Sequence, residues 1–418
     1  MPHLRKPLLL AALCAAIVRL PGQTVPTGLN PPAVASLEAA LTKGKFSLDE
    51  RLRSEYADQT NLKDSNALTL RTLFGYTTAP FDGFQAMAEA GNTAVFSNEN
   101  DYSAGGTNPG GAGRTVVPEV PVTYINQIWA SYQNFGTLFK VGRQRLVLDN
   151  ARFVGDVNWW QKMQTFDAAT LAATPAKGLT LFYGYVWHVS RIYGNQSPQP
   201  DFASRSNLVN ASYKGWTYGT FTAYAYLLDF TNSAANSSRT YGGSFAGAAP
   251  LTPVFKVTYR AEAATQSNAD NNPVTYTAPY YRGDLGGVLG PVDFGLGFEE
   301  LGSDGGRKGF ATPLATLHIF DGWTNEFLTT PPYGLKDSFV SAGVALPGQF
   351  PLKVIYHDFK SDYAGQTYGH EWDGLLTHKF NRHWSVLLEV ARFYGEPLNK
   401  PTPLFDTRKY WLETEFIY

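Results

Sequence analysis

Arginine recurs in this chain at spacings that suit the handling of anions. Arg51 and Arg53 stand two residues apart, as do Arg143 and Arg145, and Arg71, Arg260 and Arg282 lie in similar alternations of polar and apolar residues. A guanidinium is planar, and its fork can hold two carboxylate oxygens at once. A row of such forks along one wall could hand along a carboxylate-bearing solute. The competing role is structural: Asp49, Glu55, Glu89, Glu262 and Glu299 are available to pair with the arginines and stiffen a wall. A second group is Arg152, Asp156, Trp159 and Trp160, within the breaker-rich stretch that follows "RQRLVLDN". Its rings and charges suit either a constriction that meets sugar faces or a cap at a membrane rim, where Trp is common. The adjacent pairs His357–Asp358 and His370–Glu371 suggest acid–base chemistry, but neighbours on a strand point to opposite faces. No catalytic residue is expected from these patterns. Glu99, Asp101, Asp270 and Asp304 read as solvated loop charge, and no metal-ligand spacing or cofactor motif is present.

The elements that must position these side chains are strands. The chain closes on "KYWLETEFIY", where Tyr410, Leu412, Phe416 and Tyr418 alternate with Lys409, Trp411, Glu413 and Glu415. Period-two alternation marks a strand with unlike faces. In 46–57, Phe46, Leu48, Leu52 and Tyr56 alternate with Asp49, Arg51, Arg53 and Glu55; in 253–264, Phe255, Val257 and Tyr259 oppose Lys256, Arg260 and Glu262. About eighteen such segments follow one another from residue 46. Long connections alternate with short ones, which is the build of an outer-membrane barrel with external loops and periplasmic turns. A charge on the lipid face at mid-depth costs roughly 2–4 kcal/mol, so the charged faces are expected inside. A ring of about eighteen strands leaves room for water.

"TLFKVGRQRLVL" is the difficult strand. Arg143 and Arg145 share parity with Phe139 and Val141, while Lys140 has the other. Both arginines are expected inside, with a bulge at Gly142 or a snorkelling Lys140 reconciling the faces. Of the two longest connections, "TPLATLHIFDGWTNEFL" has apolar residues at helical spacing and is expected to cover the mouth as a short helix.

Composition agrees with an all-β chain. Of 418 residues, 14% are aromatic and 17% charged, with 40 Gly and only 3 Met. Mean hydropathy is −0.22 and net charge −1, which gives no field for nucleic acid. The run Leu8–Val18 after Arg5 and Lys6 reads as an export signal, too short for a spanning helix. The expected division is a signal over 1–22, a periplasmic segment over 23–45 that includes a short helix, and the barrel over 46–418. Cys14 lies in the signal, so the mature chain has no thiol chemistry.

Four stretches carry a family resemblance: "KGKFSLDERLRSEYADQ", "VGRQRLVLDNARFVGDVNWWQKMQTFDA", "LGSDGGRKGFATPLATLHIFDGWTNEFLTTPPYGLKD" and "KVIYHDFKSD". Together they resemble the alginate-export family of outer-membrane barrels. That resemblance implies a monomeric 18-strand barrel in outer-membrane lipid, with a lumen narrowed by loops and lined by arginines, through which an anionic polysaccharide passes. The expected function is passive diffusion of anionic sugar-type solutes or polysaccharide. A general or nutrient-uptake porin is the alternative, and a hydrolase at the rim is a more distant one.

Overall fold

The computed structural model describes residues 33–269, 271–396 and 404–418. The expected signal segment and Asp270 lie outside them. One short helix, α1 (Leu37–Thr42), precedes eighteen strands. These are β1 (Lys45–Gln59), β2 (Ser65–Thr77), β3 (Phe84–Val95), β4 (Val122–Asn134), β5 (Thr137–Gln144) and β6 (Thr165–Ala176). Next come β7 (Leu179–Ser190), β8 (Asp201–Trp216), β9 (Gly219–Leu228), β10 (Ser238–Pro250), β11 (Phe255–Asn268) and β12 (Thr277–Leu289). The last are β13 (Val292–Leu301), β14 (Leu335–Leu346), β15 (Phe350–Lys360), β16 (Thr367–Lys379), β17 (Trp384–Gly395) and β18 (Thr407–Ile417). Each pairs antiparallel with the next, and β18 pairs with β1 from Asp49↔Ile417 to Gln59↔Thr407. The sheet is therefore a closed cylinder with no free edge, the only sheet form whose backbone is satisfied in lipid.

The two faces separate as alternation predicts. On β18, Leu412 is 61% exposed on the outside while Trp411, its neighbour, is 1% exposed inside. Outward aromatics gather near the short turns: Phe46, Phe84, Trp216, Phe221, Trp384 and Tyr418. This is the interfacial girdle of a membrane barrel. The β4–β5 turn consists of Phe135 (φ 44°) and Gly136 (φ 71°), the left-handed pair that a two-residue hairpin requires. Each external connection is longer than the turn that follows it, with one exception: the first, 60–64, is shorter than the first turn, 78–83.

An ordinary apolar core lies inside the upper barrel. It is built by the connections 145–164 and 302–334 against the wall, and includes Phe153, Leu314, Phe310, Tyr224 and Tyr280. The expected helix over the second connection does not form; 302–334 contains turns and isolated bridges only. Left-handed φ angles at Leu317, Asp321, Gly322 and Asn325 break the helical run. Its backbone bonds elsewhere: Thr316 N donates to Ala151 O, and Thr324 N to the Glu371 carboxylate at 2.7 Å.

Candidate functional site

The site is the place where the two long connections meet inside the barrel. β5 ends at Gln144, earlier than alternation suggests, and the chain turns in from the wall. Arg145 holds that turn, its Nε donating to Asp156 at 2.7 Å. The loop then runs beside 302–334. Val154 and Leu314 form a parallel bridge, and Gly155 N donates to Leu314 O at 2.8 Å. The approach is so close that a Cβ on Gly155 would lie 2.1 Å from Thr316 Oγ1. Arg152, fully buried, ties the loops to the wall through Asp321 at 2.8 Å and Glu299 at 2.5 Å. Burial opposes its charge, but these two carboxylates outweigh burial and raise its pKa. At the centre Trp159 stacks on His318, centroids 3.9 Å apart and planes within 5°. Burial, with Arg53 and Lys409 nearby, pushes the His318 imidazole down to about 3, so it is neutral at ordinary pH. Its Nε2 lies 2.8 Å from Glu389. Trp160 is buried beside Val157 and Ile192.

The arginines of the strands fall into three groups. Arg51, Arg53 and Arg71 face inward but are sealed under the loop. Arg53 meets Glu413 (2.8 Å), Glu119 (3.3 Å) and Glu55 (3.4 Å), and its guanidinium lies 4.3 Å over the Trp159 ring. Arg51 reaches Glu415 at 2.9 Å, and Arg71 reaches Asp49 at 2.7 Å. Arg260 and Arg282 face inward on the opposite wall. They pair with Glu262 at 2.6 Å, and with Asp284 (2.9 Å) and Glu299 (3.2 Å). Glu89 takes amide donors from Asn126 and Gln127 instead of an arginine.

Arg143 forms a group of its own and corrects the expectation of a lumen position. It lies opposite Ile128, which is 56% exposed on the outside, and β5 has no register shift at Gly142. Its guanidinium meets Asp167 at 2.7 Å on the outer wall, where His188 joins at 3.1 Å. Lys140 is the inward residue, 4.4 Å over the Trp129 ring. The histidine pairs also divide between faces: His357 points inward to Asp337 at 2.8 Å, and His370 stacks on Tyr394 outside.

Alternation placed these walls but did not single out the hollow beneath the second loop. Phe320 and Asp321 roof it, and Arg282, Lys353 and His357 line its wall together with the carboxylates Glu299 and Asp337 and the side chains of Phe339 and Ser341. Among the described residues Lys353 has no ion-pair partner; Asp293 is the nearby charge, two strands away across Gly343. Its inward parity was readable from Leu352, Val354 and Tyr356. His318 carried no signal, because loop contacts have no period. No cluster of three or more metal-ligating side chains occurs among the described residues.

The family model described as alginate export matches residues 43–182, from just before β1 into β7. The last two of the four resembling stretches lie outside that match. No curated protein matches the chain. Solved outer-membrane channels share the fold at low identity. OccAB1 of Acinetobacter baumannii is 13% identical with TM-score 0.69, covering 90% of this chain and 97% of that one. OccK9 (OpdG) of Pseudomonas aeruginosa is 12% identical with TM-score 0.69, covering 91% and 100%. OpdK of Pseudomonas aeruginosa, solved with vanillate, is 14% identical with TM-score 0.64, covering 90% and 98%. The chain is an outer-membrane β-barrel, with an alginate-export match confined to residues 43–182 and, over its length, the 18-strand fold of the Occ and Opd channels.

Proposed function

We propose that the barrel is a passive diffusion channel for small anionic solutes, of the size of a single sugar acid or aromatic acid. The observation that carries this reading is Lys353, inward-facing and without an ion-pair partner among the described residues, beside Arg282 and the rings of Phe320 and Phe339. A planar carboxylate would meet a cation at one end and apolar faces along its length, the mix typical of solute sites. Vanillate in OpdK is a solute of that shape. Two loops bonded to each other across the lumen suit small solutes better than a threaded chain. Alginate, or another polyuronate, is the second reading, favoured by the family match over 43–182. The arginine pairs that give the lumen its charge are mostly structural on this reading, and anion preference rests on the few cations left over.

Planar-bilayer recording in a salt gradient tests it. The expected reversal potential favours anions, vanillate or glucuronate reduces the current, and Lys353→Glu weakens both effects. Cation preference, or a Lys353→Glu channel identical to the parent, would overturn the proposal. Block by polyuronate at lower molar concentration than by its monomer would favour the second reading.

A further inference from the structure

The helix before the barrel has three unlike sides. At about 100° per residue, Leu37 and Leu41 form one stripe, Ala40 lies about 80° to one side, and Glu38 and Thr42 lie about 100° to the other. Ala40 is buried against the barrel, while Leu37 and Leu41 are 62% and 57% exposed. Leucines exposed four residues apart on a helix that already has one packed side need another explanation than chance.

The contacts of the helix say where it lies. Ser36 caps it, accepting from Ala39 N at 3.1 Å. Its other end is held from the barrel's outer face. Tyr76 belongs to the outward set of β2, in contact with Phe46 at 4.7 Å. The Tyr76 hydroxyl donates to Leu41 O and accepts from Gly44 N at 3.0 Å. Ala79 N donates to Ala40 O at 3.0 Å, from the β2–β3 turn. The helix is therefore fixed beside the periplasmic rim, on the lipid side of the wall and next to the aromatic girdle of Phe46 and Phe74. Lys43 and Lys45, both exposed, follow it directly.

We propose that α1 is an interfacial foot, lying along the inner-leaflet surface of the outer membrane with Leu37 and Leu41 in the acyl boundary and Lys43 and Lys45 at the phosphates. The observations that choose lipid over a protein partner are continuity with the girdle and charge. The leucine stripe lies next to the outward aromatics Phe46 and Phe74, and the exposed Lys43 and Lys45 stand at its border, where they would meet lipid phosphates. Interfacial helices are built this way, with an apolar face, a polar face and basic residues at the border. The foot would set the depth and tilt of the barrel at β1–β3. The inference rests on the outer-membrane location and not on the solute.

The test uses the whole chain in a Cys14→Ser background, with a single cysteine at Leu41→Cys or Glu38→Cys carrying an environment-sensitive fluorophore. The barrel is refolded into vesicles of phosphatidylethanolamine and phosphatidylglycerol. Label 41 should be quenched by nitroxide-bearing lipid and shielded from aqueous iodide several-fold relative to label 38. Equal iodide quenching at both positions, with none from the nitroxide lipid, would overturn the proposal. Should labelling block refolding, Leu37→Ser/Leu41→Ser supplies a second reading. Hydrogen exchange over 36–43 in vesicles should be several-fold faster than in the parent, and unchanged exchange would refute the foot.

Discussion

The β18–β1–β2 seam and the β4–β6 wall hold similar arginines and use them differently. At the seam, Arg51, Arg53 and Arg71 point inward, and carboxylates on neighbouring strands and loops enclose them. On the other wall Arg143 points outward and forms its bidentate pair with Asp167 on the outer surface. The cost of a charge on the lipid face falls from a few kcal/mol at mid-depth to nearly nothing at the interface. Arg143 lies near the top of a short strand, where that cost is small, so parity with Phe139 and Val141 was the better guide. The lesson concerns depth: a charge must point inward only while it is deep.

Substitution should separate the two regions clearly. Arg53→Ala leaves Glu413, Glu55 and Glu119 around an uncompensated hole and is expected to cost about 3–5 kcal/mol. Arg143→Ala, at a partly exposed pair, should cost less than about 1 kcal/mol. Urea unfolding in vesicles measures both, and equal losses would break the comparison. An intermediate effect is expected where the two loops touch. Gly155→Val forces a branched side chain against Thr316, an overpacking of about 1–3 kcal/mol. It should raise single-channel conductance while the strands keep their hydrogen-exchange protection. Unchanged conductance would mean that these loops do not limit flow.

The remaining effect is pH-dependent. Burial, reinforced by Arg143, pushes the Lys162 ammonium down to about 7. An unfolded lysine titrates near 10.4. Between those values the loosened loop binds the extra proton, so the hold of 145–164 should strengthen as pH rises from about 7 to 10 and be weakest below 7. Hydrogen exchange over 160–164 reads this, corrected for intrinsic rates. Lys162→Met should flatten the profile.

Much of this was legible beforehand because lipid imposes a two-letter code. All the strands were readable from alternation, and so was the inward side of β1, β2, β11 and β18. The expected location of Arg152, Asp156, Trp159 and Trp160 was left open between rim and lumen. The structure places them in the lumen, where inward Arg51 and Arg53 bond the loop's carbonyls and Arg152 and Trp159 meet Glu299, Asp321 and His318 from distant segments. The helix expected over 302–334 shows the same limit from the other side. Apolar spacing there reflects burial against several walls and not one helical face. Loop-to-loop contacts have no repeat, so neither the Trp159–His318 stack nor the hollow around Lys353 left a trace in the order of residues.

The pairing of β1 with β18 has a consequence for assembly. Leu48 and Tyr418 exchange backbone hydrogen bonds at 3.0 and 2.8 Å although nearly the whole chain separates them. Joining ends so far apart carries the largest loop-closure entropy in the molecule. The clasp is then the natural last event: every other strand can zip to its neighbour first, and until the two ends meet the ribbon presents two sticky borders. Whatever holds those borders apart from other chains before closure decides the yield of finished barrels.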